Sequence, residues 1–591
     1  MKAVTHILFL TLVLLLSGCG GGSGGSTTSS ETSSVTQYYV DATGGSDGND
    51  GLSRTTAWKT LNKIANTNFT TTAEIYLKRG ETWYEPLLIN NDNITIDVYG
   101  VGTLPVVDGS TAVTNWVNNG LGIYSADITV GSGQGLGNLS ENGIMLKFIP
   151  WDDNVTTTFS GSTTGSYSFD YLLNKLYIKP ATSPNLNSYL ASIELRGIYA
   201  KDRSNISVRN IEVTRISLNG IEFHDCINCD VDGVTVTRVG GAVIAANFIA
   251  SPDFLHAGNG IDYSNSCSNG EVNNVTVSEI FDSCLAVELY LNNNNASNIS
   301  LSNATLNQCG FTGVEVSVQS NQGVNTNSHI DGVSISSVTV DGAGKGWSGR
   351  RYGTEGHGMR IVADNGAGTM KNISVNSAEI SDSAGDGIKV AGEINTVNFQ
   401  RIRSTKNDGV GINVAEPTAT SLLFELSSSI IDQNTGYGYS YNAPFAAGFK
   451  LYQNTFYNNG VINLAVFNQT GQVDIRNNLF YSSAAMTHLY SAATLVNPTL
   501  DNNCYNDATN MFGYNGSVYS TVVSLNVSTG FESLGVGHLS VAMNNPGTGD
   551  FTLSDSSSCR GLGATDIGVA TDFINASYAI PPASGAYAYM P

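Results

Sequence analysis

The sequence predicts an all-β protein wound as a solenoid, each turn carrying one short strand on each of three sheets. Three observations predict it. The chain has 591 residues, of which 65 are Gly and only 13% are charged, a composition poor in helix formers and rich in turn formers. A phrase of glycine, apolar, variable, apolar returns as Gly220-Ile221-Glu222-Phe223, Gly260-Ile261-Asp262-Tyr263, Ala286-Val287-Glu288-Leu289, Gly313-Val314-Glu315-Val316, Gly358-Met359-Arg360-Ile361, Gly387-Ile388-Lys389-Val390 and Gly411-Ile412-Asn413-Val414. The basic interval is about 24–29 residues, within the range that signals stacked repeats, and each cycle holds three short apolar runs.

Side chains alternate along a strand, so the two apolar residues of each phrase are expected inside and the variable one outside. The outward column then runs Glu222, Asp262, Glu288, Glu315, Arg360, Lys389, Asn413. Carboxylates stacked about 4.8 Å apart repel unless a cation or a shared proton compensates. Glu222, Asp262, Glu288 and Glu315 are therefore candidate ligands for calcium, a hard cation that takes oxygen donors. The two longest intervals place insertions at 241–259 and 342–357, both just ahead of a phrase, so both are expected to rise on one edge of the charged column and wall a groove.

In chain order, Met1 and Lys2 lead into an apolar run from Ile7 to Leu16, too short to cross a bilayer, that ends in Leu16-Ser17-Gly18-Cys19. This end resembles the lipobox of bacterial lipoproteins. The resemblance implies a signal peptide over 1–18, a lipid on Cys19 as the only membrane attachment, and display at the outer membrane or cell surface. Residues 19–36 read as a Gly/Ser/Thr tether. Residues 37–110 read as an N-terminal cap and first rungs, with a loop in which Asp47, Asn49 and Asp50 offer oxygen atoms to a second calcium ion. From 111 to 195 the repeat lapses. Ile144-Met145-Leu146, Tyr167-Ser168-Phe169 and Lys175-Leu176-Tyr177-Ile178 predict antiparallel hairpins of a small β insertion. The main solenoid is expected over 196–500, and C-terminal rungs with a cap over 501–591.

Tyr38-Tyr39-Val40, the Gly45–Gly51 loop, Trp58-Lys59-Thr60 and Lys78-Arg79-Gly80-Glu81-Thr82 resemble the opening of bacterial right-handed parallel β-helix proteins of the pectate-lyase-like superfamily. The resemblance implies that fold. It leaves the activity open, because the superfamily includes lyases, hydrolases, epimerases and proteins without known catalysis.

Eight cysteines include Cys19. Cys284 and Cys309 fall at nearly the same place on adjacent repeats and are expected within pairing distance. Cys226 and Cys267 follow their phrases by similar offsets and are expected to stack. Cys226-Ile227-Asn228-Cys229 has no second CxxC to complete a zinc site, so bridged or buried cysteine is expected. The net charge of -22 excludes nucleic acid and anionic membrane surfaces as general partners. A monomer acting on an acidic polysaccharide is expected.

β-Elimination on a uronic-acid polysaccharide needs the C5 carboxylate neutralised, the C5 proton removed and the C4 oxygen released. Calcium or Arg360 would do the first, and Lys389, its pKa depressed by Arg360, or Arg360 itself the second. His357 or Tyr352 would do the third. Trp347 and Tyr352 offer stacking faces, while Arg350 and Arg351 offer forks for substrate carboxylates. The alternative is an inverting glycoside hydrolase using Asp262 and Glu315, two rungs and about 9.6 Å apart. Gly356-His357-Gly358 and Asp282 resemble polygalacturonase-like hydrolases, although Ser283 stands in place of their second aspartate and their Asn-Thr-Asp is absent. A third reading is a non-catalytic glycan-binding or adhesion module.

Overall fold

The computed structural model describes residues 34–589 apart from 131–135, 153, 171, 244–255, 320–326, 348–354, 365–367, 416–422, 444–447, 485–486, 507–510 and 539–540. Residues 1–33, with the leader and Cys19, lie outside the described residues. Val35–Pro591 forms one unit.

Three stacks of parallel strands build it. The first sheet begins with Val35–Val40, Thr72–Lys78 and Ile94–Tyr99 and continues through Ser204–Arg209 and Ile227–Asp232 to Thr499–Asp501. The second takes in Val106–Asp108, Glu212–Ile216, Thr235–Val239 and Val275–Ile280 and ends at Cys504–Asn506 and Val536–His538. The third runs from Leu87–Ile89 and Arg196–Lys201 through Asn219–His224, Ile261–Ser264, Leu285–Leu289, Val314–Val318, Met359–Ala363, Ile388–Gly392 and Ile412–Ala415.

The corner between the first and second sheets is so tight that single strands run through it, as in Asn295–Cys309 and Ser328–Asp341. One residue with positive φ makes the bend: Asn210, Gly233, Asn274, Asn303, Ser337 and Ser377 on successive turns. Asn accepts the left-handed region with little penalty, which accounts for much of the Asn content. Inside, stacked apolar residues from all three sheets form one continuous core, including Ile221, Phe223, Ile261, Leu285, Val316, Ile361 and Val390.

The chain leaves the solenoid after Val106–Asp108 and returns at Arg196–Lys201. Between them, two small sheets pair mainly antiparallel, with Ser166–Asp170 against Lys175–Lys179 around Asn174 at φ 50°. They enclose their own core of Leu139, Tyr167, Phe169, Leu176 and Tyr189, where Trp116 is buried edge-on against Tyr189. Asn138 docks this unit by donating to the carbonyl of Arg238 at 2.7 Å.

Disulfides join Cys284 to Cys309, Cys226 to Cys229 and Cys504 to Cys559. The first is the pair expected from register. Cys267 stacks beside the second, its sulfur accepting from the amide of Cys226 at 3.3 Å.

Candidate active site

The site lies on the outer face of the third sheet. In register, Glu222 neighbours Asp262, Asp262 neighbours Ala286, Ala286 neighbours Glu315, then come Arg360, Lys389 and Asn413. Six of the seven expected residues thus form one column. Glu288 is the correction: it pairs with Ser264 and Ser317, so it stands on the same face two residues further along the strand than the column. The strand's first inward residue is Leu285, aligned with Ile261, so the phrase begins at Cys284 and not at Ala286. Ala286, itself buried, thus separates Asp262 from Glu315 in the column.

Residues at the corner just before each phrase orient these carboxylates. Asn219 donates through Nδ2 to Glu222 at 3.0 Å and Asp262 at 3.3 Å, while its Oδ1 accepts from the amide of Asn259 at 2.9 Å. Asn259 donates to Glu288, lies within reach of Asp262, and accepts from the amide of Ser283 at 3.1 Å. Ser283 donates to Glu315 at 2.7 Å. Arg196 and Arg360 flank the group, donating to Glu222 at 2.6 Å and Glu315 at 2.7 Å. None of Asn219, Asn259, Ser283 or Arg196 is apparent from the phrase alone. The signal was the residue preceding its first position, which is polar at Asn219, Asn259, Ser283, Thr312, His357 and Asp386.

Electrostatics divide the carboxyls into two kinds. Burial pushes Asp262 well above the usual carboxylate range, and the charges of Glu288, Glu222 and Glu315 push it further. Burial, then Glu315 and Asp282, do the same to Glu288. Glu222 goes the other way: burial opposes its charge, but His224, Arg196 and Asn219 outweigh burial and hold it low. Asp262 is 2% exposed, and its Oδ1 is buried without a hydrogen-bond partner. Glu288 keeps a partly exposed edge.

The basic end is arranged differently from the expectation. Lys389 donates to Glu355 at 2.9 Å. His357 is buried, accepts at Nδ1 from the amide of Asp386 at 3.0 Å, and turns Nε2 to the same Glu355 oxygen at 3.1 Å. His357, together with Lys389, holds Glu355 down to about 2. These groups brace the foot of the 342–357 insertion. Trp347 is a packing residue: its Nε1 donates to the carbonyl of Glu279 at 2.9 Å and its ring meets Phe281 edge-on at 5.0 Å, against the core of the small insertion. Arg350, Arg351 and Tyr352 lie outside the described residues.

Calcium does not fit either expected donor set. Glu222, Asp262, Glu288 and Glu315 face guanidinium, amide and hydroxyl donors, which compete with a cation for the same oxygens. Asp47 accepts from the amides of Lys59 and Thr60 and from the Thr60 hydroxyl, Asn49 donates to the carbonyl of Ala57, and Asp50 accepts from the amide of Leu52. Among the described residues no group of three or more Asp, Glu, His or Cys is placed to hold a metal.

The molecule is a right-handed parallel β-helix with a ladder of carboxylates on one sheet. Solved structures share the fold: the XylC complex with xylose aligns over 94% of this chain and 98% of its own, at 11% identity and a TM-score of 0.52. A glycoside hydrolase structure covers 84% of this chain and 99% of its own, at 11% identity and a TM-score of 0.43. Pectate lyase Pel9A covers 95% and 97%, at 14% identity and a TM-score of 0.37. No protein-family model matches the chain, and no curated protein matches its sequence.

Proposed function

We propose that the protein is a glycoside hydrolase, with Glu288 as general acid and Asp262 as the carboxylate that attacks the sugar. The observation that carries this reading is the pair itself: two carboxyls on adjacent rungs, both pushed up, with Asn259 against each. Such a pair titrates as a unit, and the repulsion between two neighbouring charges favours a shared proton, giving the acid and the base that glycosidic cleavage needs. Glu288 has the solvent edge, so its proton meets the glycosidic oxygen. Asp262 Oδ1 has no hydrogen-bond partner but is buried, so it bonds the anomeric carbon only once the side chains over it move aside. Once the leaving group departs with that proton, the Glu288 carboxylate takes a proton from water, whose oxygen displaces Asp262 and regenerates both groups.

Asp262 and Glu288 are diagonal neighbours on adjacent strands, and we assign them the close carboxyl spacing of retaining enzymes, about 5 Å. The lyase reading is weaker, because Lys389 and Arg360 are each bound to a carboxylate. That XylC was solved with xylose is consistent with a glycan substrate.

The test is to incubate the protein with aryl glycosides and neutral and acidic polysaccharides, and to follow reducing ends and the anomer first released by NMR. Asp262→Asn and Glu288→Gln should each lower kcat by about 10³-fold or more with the fold intact, and the product should retain configuration. An inverted product would assign the work to Asp262 and Glu315, which stand on either side of Ala286. Unsaturated uronate product, read by ultraviolet absorbance, would sink the hydrolase reading in favour of β-elimination.

A further inference from the structure

We propose that the outer face of the first sheet, at the N-terminal end of the solenoid, is a second glycan-binding site separate from the carboxylate pair. A cleft of about 400 Å³ opens there. Tyr39 and Tyr76 are in register on neighbouring strands, and their rings stack at 5.6 Å. Tyr99 closes one end, edge-on to Tyr39 at 5.2 Å, with the guanidinium of Arg54 over its ring at 5.4 Å. Further along the same sheet the outward positions are short and polar, as at Asn273, Ser302 and Ser336. An aromatic cluster confined to three rungs is therefore a local feature and not a habit of the sheet.

The polar groups of the cleft are arranged as a glycan site requires. Gln37 donates to Glu74 at 3.0 Å and Tyr76 donates to the same carboxylate oxygen at 2.8 Å, which fixes the ring and presents a carboxylate edge to sugar hydroxyls. The Tyr99 hydroxyl is buried and has no hydrogen-bond partner, and an orphaned buried hydroxyl is costly unless a ligand satisfies it. Tyrosine faces stack on the C–H face of a pyranose, and the volume suits one or two sugar units. Arg54 is the one charged residue lining the cleft and its guanidinium is engaged over the Tyr99 ring, while Glu74 beside the cleft is held by Gln37 and Tyr76, so neither charge selects an ionic chain and the chemistry favours a neutral one.

The choice of a glycan rests on the hydrolase reading, but the site lies on a different sheet, so binding and turnover can be measured apart. Native affinity electrophoresis of the full-length protein in gels containing soluble xylan, galactan or mixed-linkage β-glucan is the direct measurement. Wild type should be retarded by at least one of them. Tyr76→Ala should weaken that retardation by about fivefold to tenfold, the size of one lost aromatic contact, while Tyr76→Phe keeps most of it. Hydrolysis of a small aryl glycoside should be unchanged in Tyr76→Ala, which also reports that the variant is folded. Equal retardation of wild type and Tyr76→Ala in every gel overturns the site, as does no retardation of wild type in any. Tyr76-dependent retardation without any turnover would keep the site and remove the hydrolase.

Discussion

Asn259 shows how much of this site depends on residues that carry no charge. It reaches Asp262 and Glu288 and is itself held by the Ser283 amide, so it fixes the geometry of two groups that would otherwise repel each other. Single residues also set pH behaviour. Glu532 is fully buried, accepts from Asn503 and Tyr505, and is raised by burial to about 7. Its folded pKa lies above its unfolded one, so its protonated form favours folding at low pH. That contribution is lost as pH rises from about 4.5 towards 7, by about 3 kcal/mol in all. Urea unfolding from pH 4 to 8 should show this loss in wild type and a flatter profile in Glu532→Gln; parallel profiles would remove Glu532 as the cause. The acidic column could be read in the sequence because alternation puts every second residue on one face. The partners that sort its protonation states could not, because Arg196 and Asn259 approach from other rungs and from the corner.

Among elements, the rungs were legible and one register was not. At most phrases the first position is Gly because there is no room for a side chain: a Cβ at Gly220 would lie 2.7 Å from Val236 Cγ1. On the rung of Leu285–Leu289, Cys284 occupies that position and uses its side chain in the bridge to Cys309. With no glycine there, the phrase was aligned two residues late and Glu288 was placed in the wrong column. Further along, a ladder of buried amides holds the rungs. Asn478 donates to the carbonyl of Leu451 at 2.8 Å and to Asn503 at 3.0 Å, and accepts from the Asn454 amide at 3.0 Å. Asn478→Ala leaves buried groups on three rungs unpaired and should cost about 2–4 kcal/mol in urea unfolding. A loss within experimental error would mean that water replaces the amide.

At the scale of the molecule, a solenoid is held between neighbours only, so its ends must be closed. Leu61–Ala65 does this at the start, burying Leu61 and Ile64. At the other end the chain turns back over the second sheet: the amide of Gly585 donates to the carbonyl of Asn477 at 2.8 Å, Ala586 to Thr455 at 3.0 Å, and Arg401 to Thr571 at 3.1 Å. Cys504–Cys559 ties this strap to the last rungs. Cys559→Ser should lower stability by about 2–4 kcal/mol, with hydrogen-exchange protection lost at the strap and the last rungs and kept around Asp262. Uniform loss along the chain would show that the strap stabilises the whole solenoid. The need for caps was legible in the sequence, because a stacked repeat leaves unpaired backbone on its end rungs. The return path was not, because an extended strap has no periodicity.

The two amides that serve the carboxylates also have a chemical lifetime. Asn219 and Asn259 each precede a glycine, the context in which asparagine deamidates most readily, because an unhindered backbone nitrogen can attack the side chain. In the folded protein those nitrogens are occupied: Gly220 donates to the carbonyl of Asn259 and Gly260 to that of Ser283, both at 2.9 Å. The sheet that aims the amides thus also protects them. Whenever the third sheet opens, ageing would add new carboxylates to a cluster already crowded with charge, and the site would lose its proton balance before the protein lost its fold.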